Sequence, residues 1–542
     1  MQNKILIRLI STALSICSIT SFAITGANAQ EISDSTNDTA NNKIESITQI
    51  PESYSSYDLG YVTPTEKQLF NDCWAYASLG AFESKLLHDG EILESDFSEN
   101  HMNVWATTRT NGTGWIRTTN GEGFAEIPLG YLTSWQGAVT DSSVSGLPLL
   151  ATNGDKIPTN LANYGVTSIQ YITSADPNTI KQAIMEHGGI YSAYAHTKYC
   201  FSDDNISYYY PPQYHGSKIG HAIEVIGWDD NYSKDNFNGL GNYRPENDGG
   251  WLVKSSWGED FNSNGGCYWI SYEDTFLFGE KYAPSFAITG YEKITEDVRL
   301  EQNEIYGATY EFSYIPENPV TYINVFDFSN GYNSLDKIVF ESTSVNADYT
   351  IYYVPVSNNA PVEDKSQWTK LYTSTVDYSG YICADIEDFN LPVAKGGIAI
   401  EIGTGDNSTK TQGNTIGVNE WLNRASDKSY VLLNNSEQGQ SYISYNDTMT
   451  ELLDWYKTNN NDEIGGTFVI KAVTNKTGAE VTDLGDVDLN GDVNINDATA
   501  LARYLADIAT LTEVKKLNAD FDGNNMLNIN DITSIQRHIA NN

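Results

Sequence analysis

Up to about residue 290 the chain mixes helical and strand periods, and beyond it apolar and polar residues mostly alternate. The runs "NDCWAYASLGAFESKLL" and "NTIKQAIMEH" repeat apolar positions every three to four residues, and the spacing predicts amphipathic helices. Later runs, "AIEVIGW", "GWLVKSS" and "GCYWISY", are aromatic and β-branched and predict strands. From 291 to 476 come short strands such as "KIVFEST", "YTIYYVPV", "GIAIEIG", "YVLLNN" and "TFVIKAV", separated by Asn, Asp and Gly turns. That alternation suits an antiparallel β-sandwich. A linker at 477–483 then leads into an acidic, Asn-rich repeat with two helical tails at 484–542.

Length changes the picture first, because 542 residues exceed one ordinary domain. The net charge of −40 lies across the whole chain and argues against nucleic acid and anionic membrane surfaces as partners. Residues 1–29 read as a secretory signal: Lys4 and Arg8 precede the apolar "LISTALSICSITSFAI", and "ANA" offers a cleavage site. Residues 30–56 begin polar and are expected to be a flexible leader. No later segment has a membrane span's apolar length, so the mature protein is expected to be secreted. Past the signal, Cys73, Cys200, Cys267 and Cys383 remain. They are too few for a disulfide framework, although pairing of Cys200 with Cys267 stays open.

The C-terminal repeat carries the clearest ligand pattern. "DVDLNGDVNIND" and "DFDGNNMLNIND" start at Asp486 and Asp520. Calcium takes about six to eight hard oxygen ligands, which a 12-residue loop supplies from positions 1, 3, 5, 9 and 12 plus the carbonyl at 7. In the first loop these are Asp486, Asp488, Asn490, Asn494, Asp497 and the carbonyl of Asp492. In the second they are Asp520, Asp522, Asn524, Asn528, Asp531 and the carbonyl of Met526. No helix precedes the first loop, and position 12 is Asp in both. A loop followed by a helix, twice, resembles a type I dockerin module. The resemblance implies two calcium ions and docking onto a cohesin of a cellulosome-like scaffold. Its cohesin-binding positions fall on Ile495, Asn496 and Arg503, and symmetrically on Ile529, Asn530 and Arg537. Burial of the two isoleucines in the module's own core is the competing reading.

Cys73 opens the first predicted helix, where unpaired N–H groups and the helix dipole favour thiolate. Neighbouring Asp72 opposes that charge and is a candidate N-cap. A buried, inert cysteine would look the same locally. His221, in "GHAIEVIGWDD", begins an apolar strand and is a candidate base. With "WLVKSSWGEDFNSNGGCYW" downstream, these motifs resemble a papain-family cysteine peptidase over roughly residues 57–290. The resemblance implies Cys73 as nucleophile, His221 as base, Gln68 with the Cys73 N–H as the oxyanion site, and Trp257 shielding the histidine. "GEG", with Gly121 and Gly123, resembles the backbone-binding substrate groove. Ser255 stands where the family has an asparagine orienting the histidine, and Gln68 lies one position nearer the nucleophile than expected.

Residues 291–476 resemble the lectin-like domain that follows bacterial peptidases of this group. Tyr352, Tyr353 and Trp368 are candidate sugar platforms, though strand core fits them better. The expected fold is therefore an α+β two-lobe papain-like peptidase, an antiparallel β-sandwich and a small all-α dockerin. The expected function is a secreted, scaffold-docked cysteine endopeptidase of a bacterium with no catalytic cofactor, acting on extracellular proteins. The alternative is a weakened peptidase homologue acting as a protein- or glycan-binding module.

Overall fold

The computed structural model describes residues 6–9, 50–476 and 484–541, apart from 92–95, 146–153, 155–156, 159–160, 174–175, 217, 242, 280–283, 315–318, 393, 404–413, 423–431, 434–435, 447, 460–463, 507, 510, 512 and 523–525. Of the expected signal only Leu6–Leu9 is described, a strand beside Tyr310–Tyr314. The linker 477–483 lies outside the described residues. Among the described residues no helix is long and apolar enough to cross a membrane.

Helix α1, Cys73–His88, is buried around nearly its whole circumference, and in this it departs from the amphipathic expectation. Small residues make that possible. A Cβ on Gly80 would stand 2.6 Å from Glu224 Oε2, so glycine lets the β-rich lobe close against the helix. Helices α2 (Glu99–Trp105) and α3 (Glu126–Thr133) complete the helical lobe. Helix α4, Pro177–His187, is capped by the Asp176 carboxylate, begins with proline, and ends at Gly188, whose φ is +82°.

The β-rich lobe is built from strands Ile190–His196, Ile219–Asp229, Gly250–Lys254 and Cys267–Ser271, each antiparallel to the next. The end of the expected flexible leader is ordered: Ser53–Ser55 pairs with Gly227–Asp229. This sheet does not stop at the peptidase-like region. Strand Ser285–Lys293 bonds Tyr164–Ile172, which pairs with Gly380–Asn390 of the sandwich through Ile169 and Gln170. Beyond it follow Ser334–Ser342, Ile470–Asn475 and Val298–Glu301, giving one sheet of 12 strands. A 7-stranded sheet, centred on Asp348–Ser357, Lys395–Ile402 and Val320–Asp327, contributes to the same apolar core as these sandwich strands. Another core mixes Trp105 and Tyr131 of the helical lobe with Tyr306, Val339, Tyr381 and Val469.

At the C-terminus, α6 (Ile495–Leu505), α7 (Glu513–Ala519) and α8 (Ile529–Asn541) enclose a small core of Val487, Ala498, Leu501, Leu511, Ala519, Ile532 and Ile535. The sandwich also carries α5, Leu452–Asn459. All four cysteines past the expected signal are free thiols, so Cys200 and Cys267 are not paired.

Candidate active site

Cys73 is the first residue of α1, and its sulfur accepts a hydrogen bond from the Ala222 N–H at 3.4 Å. Ala222 follows His221, so one contact ties the helix start to the strand carrying the imidazole. His221 is 4% exposed and stacks on Trp257 with centroids 4.3 Å apart and planes 9° from parallel. The structure thus brings Cys73, His221 and Trp257 together from three elements.

Both ionisable members are held neutral. Burial pushes the Cys73 thiol up to about 11, against the lowering pull of the backbone N–H groups of Ala222, Trp74 and Cys73. The helix terminus does favour thiolate, as the sequence suggests, but desolvation outweighs it. Burial, with His196 nearby, lowers the His221 pKa well below its ordinary value. Asp72 occupies the N-cap position without capping by its side chain. Its carboxylate instead accepts from Asn103 Nδ2 at 3.0 Å, which draws it away from the helix amides.

Ser255 lies beside this centre but is turned elsewhere. Its hydroxyl donates to the Gly266 carbonyl at 2.9 Å and accepts from the Trp257 N–H at 3.3 Å. His221 Nε2 is buried and has no hydrogen-bond partner among the described residues. Gln68 is fixed by three bonds: its N–H donates to Ser256 O, its Nε2 donates to Phe70 O at 2.6 Å, and its Oε1 accepts from Ser256 Oγ at 2.5 Å. One Nε2 hydrogen is committed to Phe70, which leaves the second for another acceptor.

The Gly121–Gly123 turn packs on the residue beside the thiol. A Cβ on Gly123 would meet Trp74 Nε1 at 2.4 Å, so only glycine fits there. Sequence reasoning missed the residue that holds this turn. Arg117 donates to the carbonyls of Gly121 at 2.7 Å and Glu122 at 3.2 Å, and to Asn103 Oδ1 at 3.0 Å. Its guanidinium also lies 5.0 Å from the Trp74 ring centre. No side-chain motif marks it, because two of these partners are backbone carbonyls of the adjoining turn, which any residue type supplies, and the third is Asn103 of α2. His196 was missed as well: its ring sits 4.8 Å from Trp257 and 5.9 Å from His221.

Behind the site, α1 meets the β-rich lobe through buried charge. Lys254 Nζ donates to Thr63 Oγ1 at 2.8 Å and faces Glu224 Oε2 at 3.7 Å. Thr63 in turn donates to Glu83 Oε2 at 2.6 Å, and the Phe97 N–H donates to Glu83 Oε1 at 2.8 Å. Burial raises Glu83 to about 7 despite Lys254.

In the C-terminal repeat, carboxylate oxygens of Asp486, Asp488 and Asp497 converge within 4.8 Å of one another, and those of Asp520, Asp522 and Asp531 do the same. Gly491 takes a φ of +87°, the turn that position 6 of the loop requires. Asn490 accepts from the Asp492 N–H at 2.8 Å, and the Asp492 carbonyl accepts from Asn494 Nδ2 at 3.1 Å. The Met526 carbonyl accepts from Asn528 Nδ2 at 2.8 Å, the same bond in the second copy. Asn524 lies outside the described residues. Converging hard oxygens, with no sulfur or imidazole, fit calcium. Ile495 and Ile529 are 57% and 66% exposed, so neither belongs to the module's core. Asn530 and Arg537 are exposed, Asn496 is half-buried, and Arg503 reaches the Asp89 carbonyl at 3.5 Å. In the sandwich, Tyr353 and Trp368 are buried and Trp368 donates to the Val362 carbonyl, while Tyr352 packs edge-on against Trp368, as strand core predicts.

Three family models match this chain: papain family cysteine protease over residues 50–275, lectin-like domain over 301–474, and dockerin type I domain over 484–540. Among solved structures, the chain is 32% identical to the cysteine protease and lectin-like domains of Cwp84, a surface layer associated protein of Clostridium difficile. That match covers 79% of this chain and 89% of that one, with a TM-score of 0.66. A second structure of the same protease, after propeptide cleavage, is also 32% identical, covering 78% and 99% with a TM-score of 0.67. Cathepsin L2 of Homo sapiens is 24% identical over 220 residues, 40% of this chain and 59% of that protein. The chain thus spans about three-fifths of the length of such curated relatives. It belongs to the papain family of cysteine proteases, with a lectin-like domain and a type I dockerin module in the same polypeptide.

Proposed function

We propose that this protein is a secreted cysteine endopeptidase that cleaves extracellular proteins while held on a cohesin-bearing scaffold by its dockerin. The contact from Ala222 N–H to Cys73 Sγ, beside a histidine stacked on Trp257, carries the reading. Nε2 of His221 is buried, so the proton moves at Nδ1. His221 takes the thiol proton as Cys73 attacks the scissile carbonyl, and the oxyanion is bound by the Cys73 N–H with the free Gln68 Nε2 hydrogen. The imidazolium then protonates the leaving amine. Water, deprotonated by the same nitrogen, releases the acyl group and the thiol recovers its proton. Gly121 and Gly123 allow the substrate backbone close approach, and Trp257 keeps water from the histidine.

Calcium, one ion per loop, would be held by the carboxylates at Asp486, Asp488 and Asp497 and at Asp520, Asp522 and Asp531, supplying fold rather than chemistry. Exposed Ile495 and Ile529, with Asn496, Asn530, Arg503 and Arg537, then form the cohesin surface. The unpartnered Nε2 and the turned-away Ser255 favour a second reading, a weakened peptidase that serves as a scaffold-docked protein- or glycan-binding module.

The test is covalent labelling with a peptidyl epoxide directed at thiol peptidases, in calcium. Labelling lost in both Cys73→Ala and His221→Ala supports the enzyme. A wild type that takes no label but gains it on Ser255→Asn supports the second reading.

A further inference from the structure

We propose that His196 is a substrate-binding residue on the leaving-group side of the cleft, donating a hydrogen bond from Nε2 to a backbone carbonyl beyond the scissile bond. The inference rests on the peptidase reading and goes beyond it.

Register puts His196 there. Tyr194 pairs with His221 across the strands, and His196, two residues along, points to the same face. The ring is half-buried, edge-on to Trp257 at 4.8 Å and 5.9 Å from the His221 ring. The glycine turn packs on Trp74, the neighbour of Cys73, whereas His196 packs on Trp257 and His221. On the peptidase reading the acyl part lies along Gly121–Gly123 and the leaving amine at His221, the imidazole beside which His196 stands.

Proton accounting fixes what His196 offers. Tyr194 Oη lies 2.7 Å from Tyr268 Oη and 3.2 Å from His196 Nδ1. Tyr268 is fully buried, so its proton needs an acceptor, and the Tyr194 oxygen is the one in place. Tyr194 then directs its own proton to His196 Nδ1, which must be the unprotonated nitrogen. The proton of the neutral ring is left on Nε2, a donor. Burial holds the ring neutral by pushing its pKa down to about 4, so it acts as a dipole and not as a second cation beside His221. A backbone carbonyl is the acceptor that every peptide substrate presents, whatever its side chains.

The test compares two substrates with one acyl sequence: an internally quenched peptide extending four residues past the scissile bond, and the aminocoumarin amide, which carries no residues there. A neutral hydrogen bond contributes about three- to tenfold in kcat/KM. His196→Ala is expected to lower the ratio of extended peptide to amide by about that factor. His196→Gln, which keeps an N–H donor, is expected to restore much of it. An unchanged ratio, with or without an equal loss on both substrates, overturns the proposal and reassigns His196 to packing or to positioning His221. Failure of the peptidase reading itself is seen separately, as no Cys73-dependent turnover of either substrate and no epoxide labelling, and it removes this proposal too.

Discussion

Replacing Ser255 with asparagine gives the sharpest test of how the histidine works. His221 Nε2 is buried without a partner among the described residues, an omission that costs about 1–3 kcal/mol in a folded protein. An asparagine carbonyl reaching it would accept the Nε2 proton, fix the tautomer and leave Nδ1 free for the thiol. The gain should concentrate where the imidazolium exists. A hydrogen bond to a charged donor is worth about 1.5–3 kcal/mol, or about 10- to 100-fold in acylation rate. Stability should move little, because the variant gives up the bonds of Ser255 to Gly266 and Trp257, about 1 kcal/mol each. Stopped-flow acylation on an aminocoumarin amide reads the first effect and thermal melting the second. A Ser255→Asn protein that melts like wild type and acylates no faster would refute the reasoning. The missing partner would then not limit the imidazole.

Other outcomes follow from the buried charges and the loops. Because burial raises the Cys73 pKa to about 11, less thiolate is present at any given pH. Alkylation by iodoacetamide should therefore climb about tenfold per pH unit through the neutral range, and a plateau would reveal a preformed thiolate–imidazolium pair. Lys254→Met leaves Glu224 and Glu83 buried without their cation, and should cost about 3–5 kcal/mol in urea unfolding. A loss under about 1 kcal/mol would mean those carboxyls are already neutral. Chelation of calcium should melt α6 and α8 and make the C-terminal module sensitive to trypsin, while the Cys73 epoxide label persists. Helicity indifferent to chelator would remove calcium from the fold.

The sequence made some of this legible and not the rest, for a physical reason. Cys73, His221 and Trp257 sit in short motifs, because each must present one side chain from a rigid element end. The calcium loops read even more clearly, since ligand spacing is local. What escaped was set by backbone conformation and by pairing between elements. Arg117 is defined by a turn that aims the Gly121 and Glu122 carbonyls back at it and by Asn103 of α2, and His196 by a register between two strands. Asp72 looked like a cap because the local pattern allowed it, but Asn103, from another helix, took the carboxylate. Helix α1 read as amphipathic because its small residues look neutral in a periodicity count. Two of them, Gly80 and Ser84, are where Glu224 of the other lobe meets the helix.

The shared sheet has a mechanical consequence. The last strand before the C-terminal module, Ile470–Asn475, is hydrogen-bonded on both edges, to Val298–Glu301 and to Ser334–Ser342. Once the module's contacts to Asp89 and Glu292 have given way, tension on it enters the chain through this strand and is carried along its axis. Loaded in that direction, the rungs of two ladders share the force instead of opening one after another. The load then spreads over a sheet that also contains the His221 strand, so a pull on that module is expected to leave the shape of the cleft unchanged.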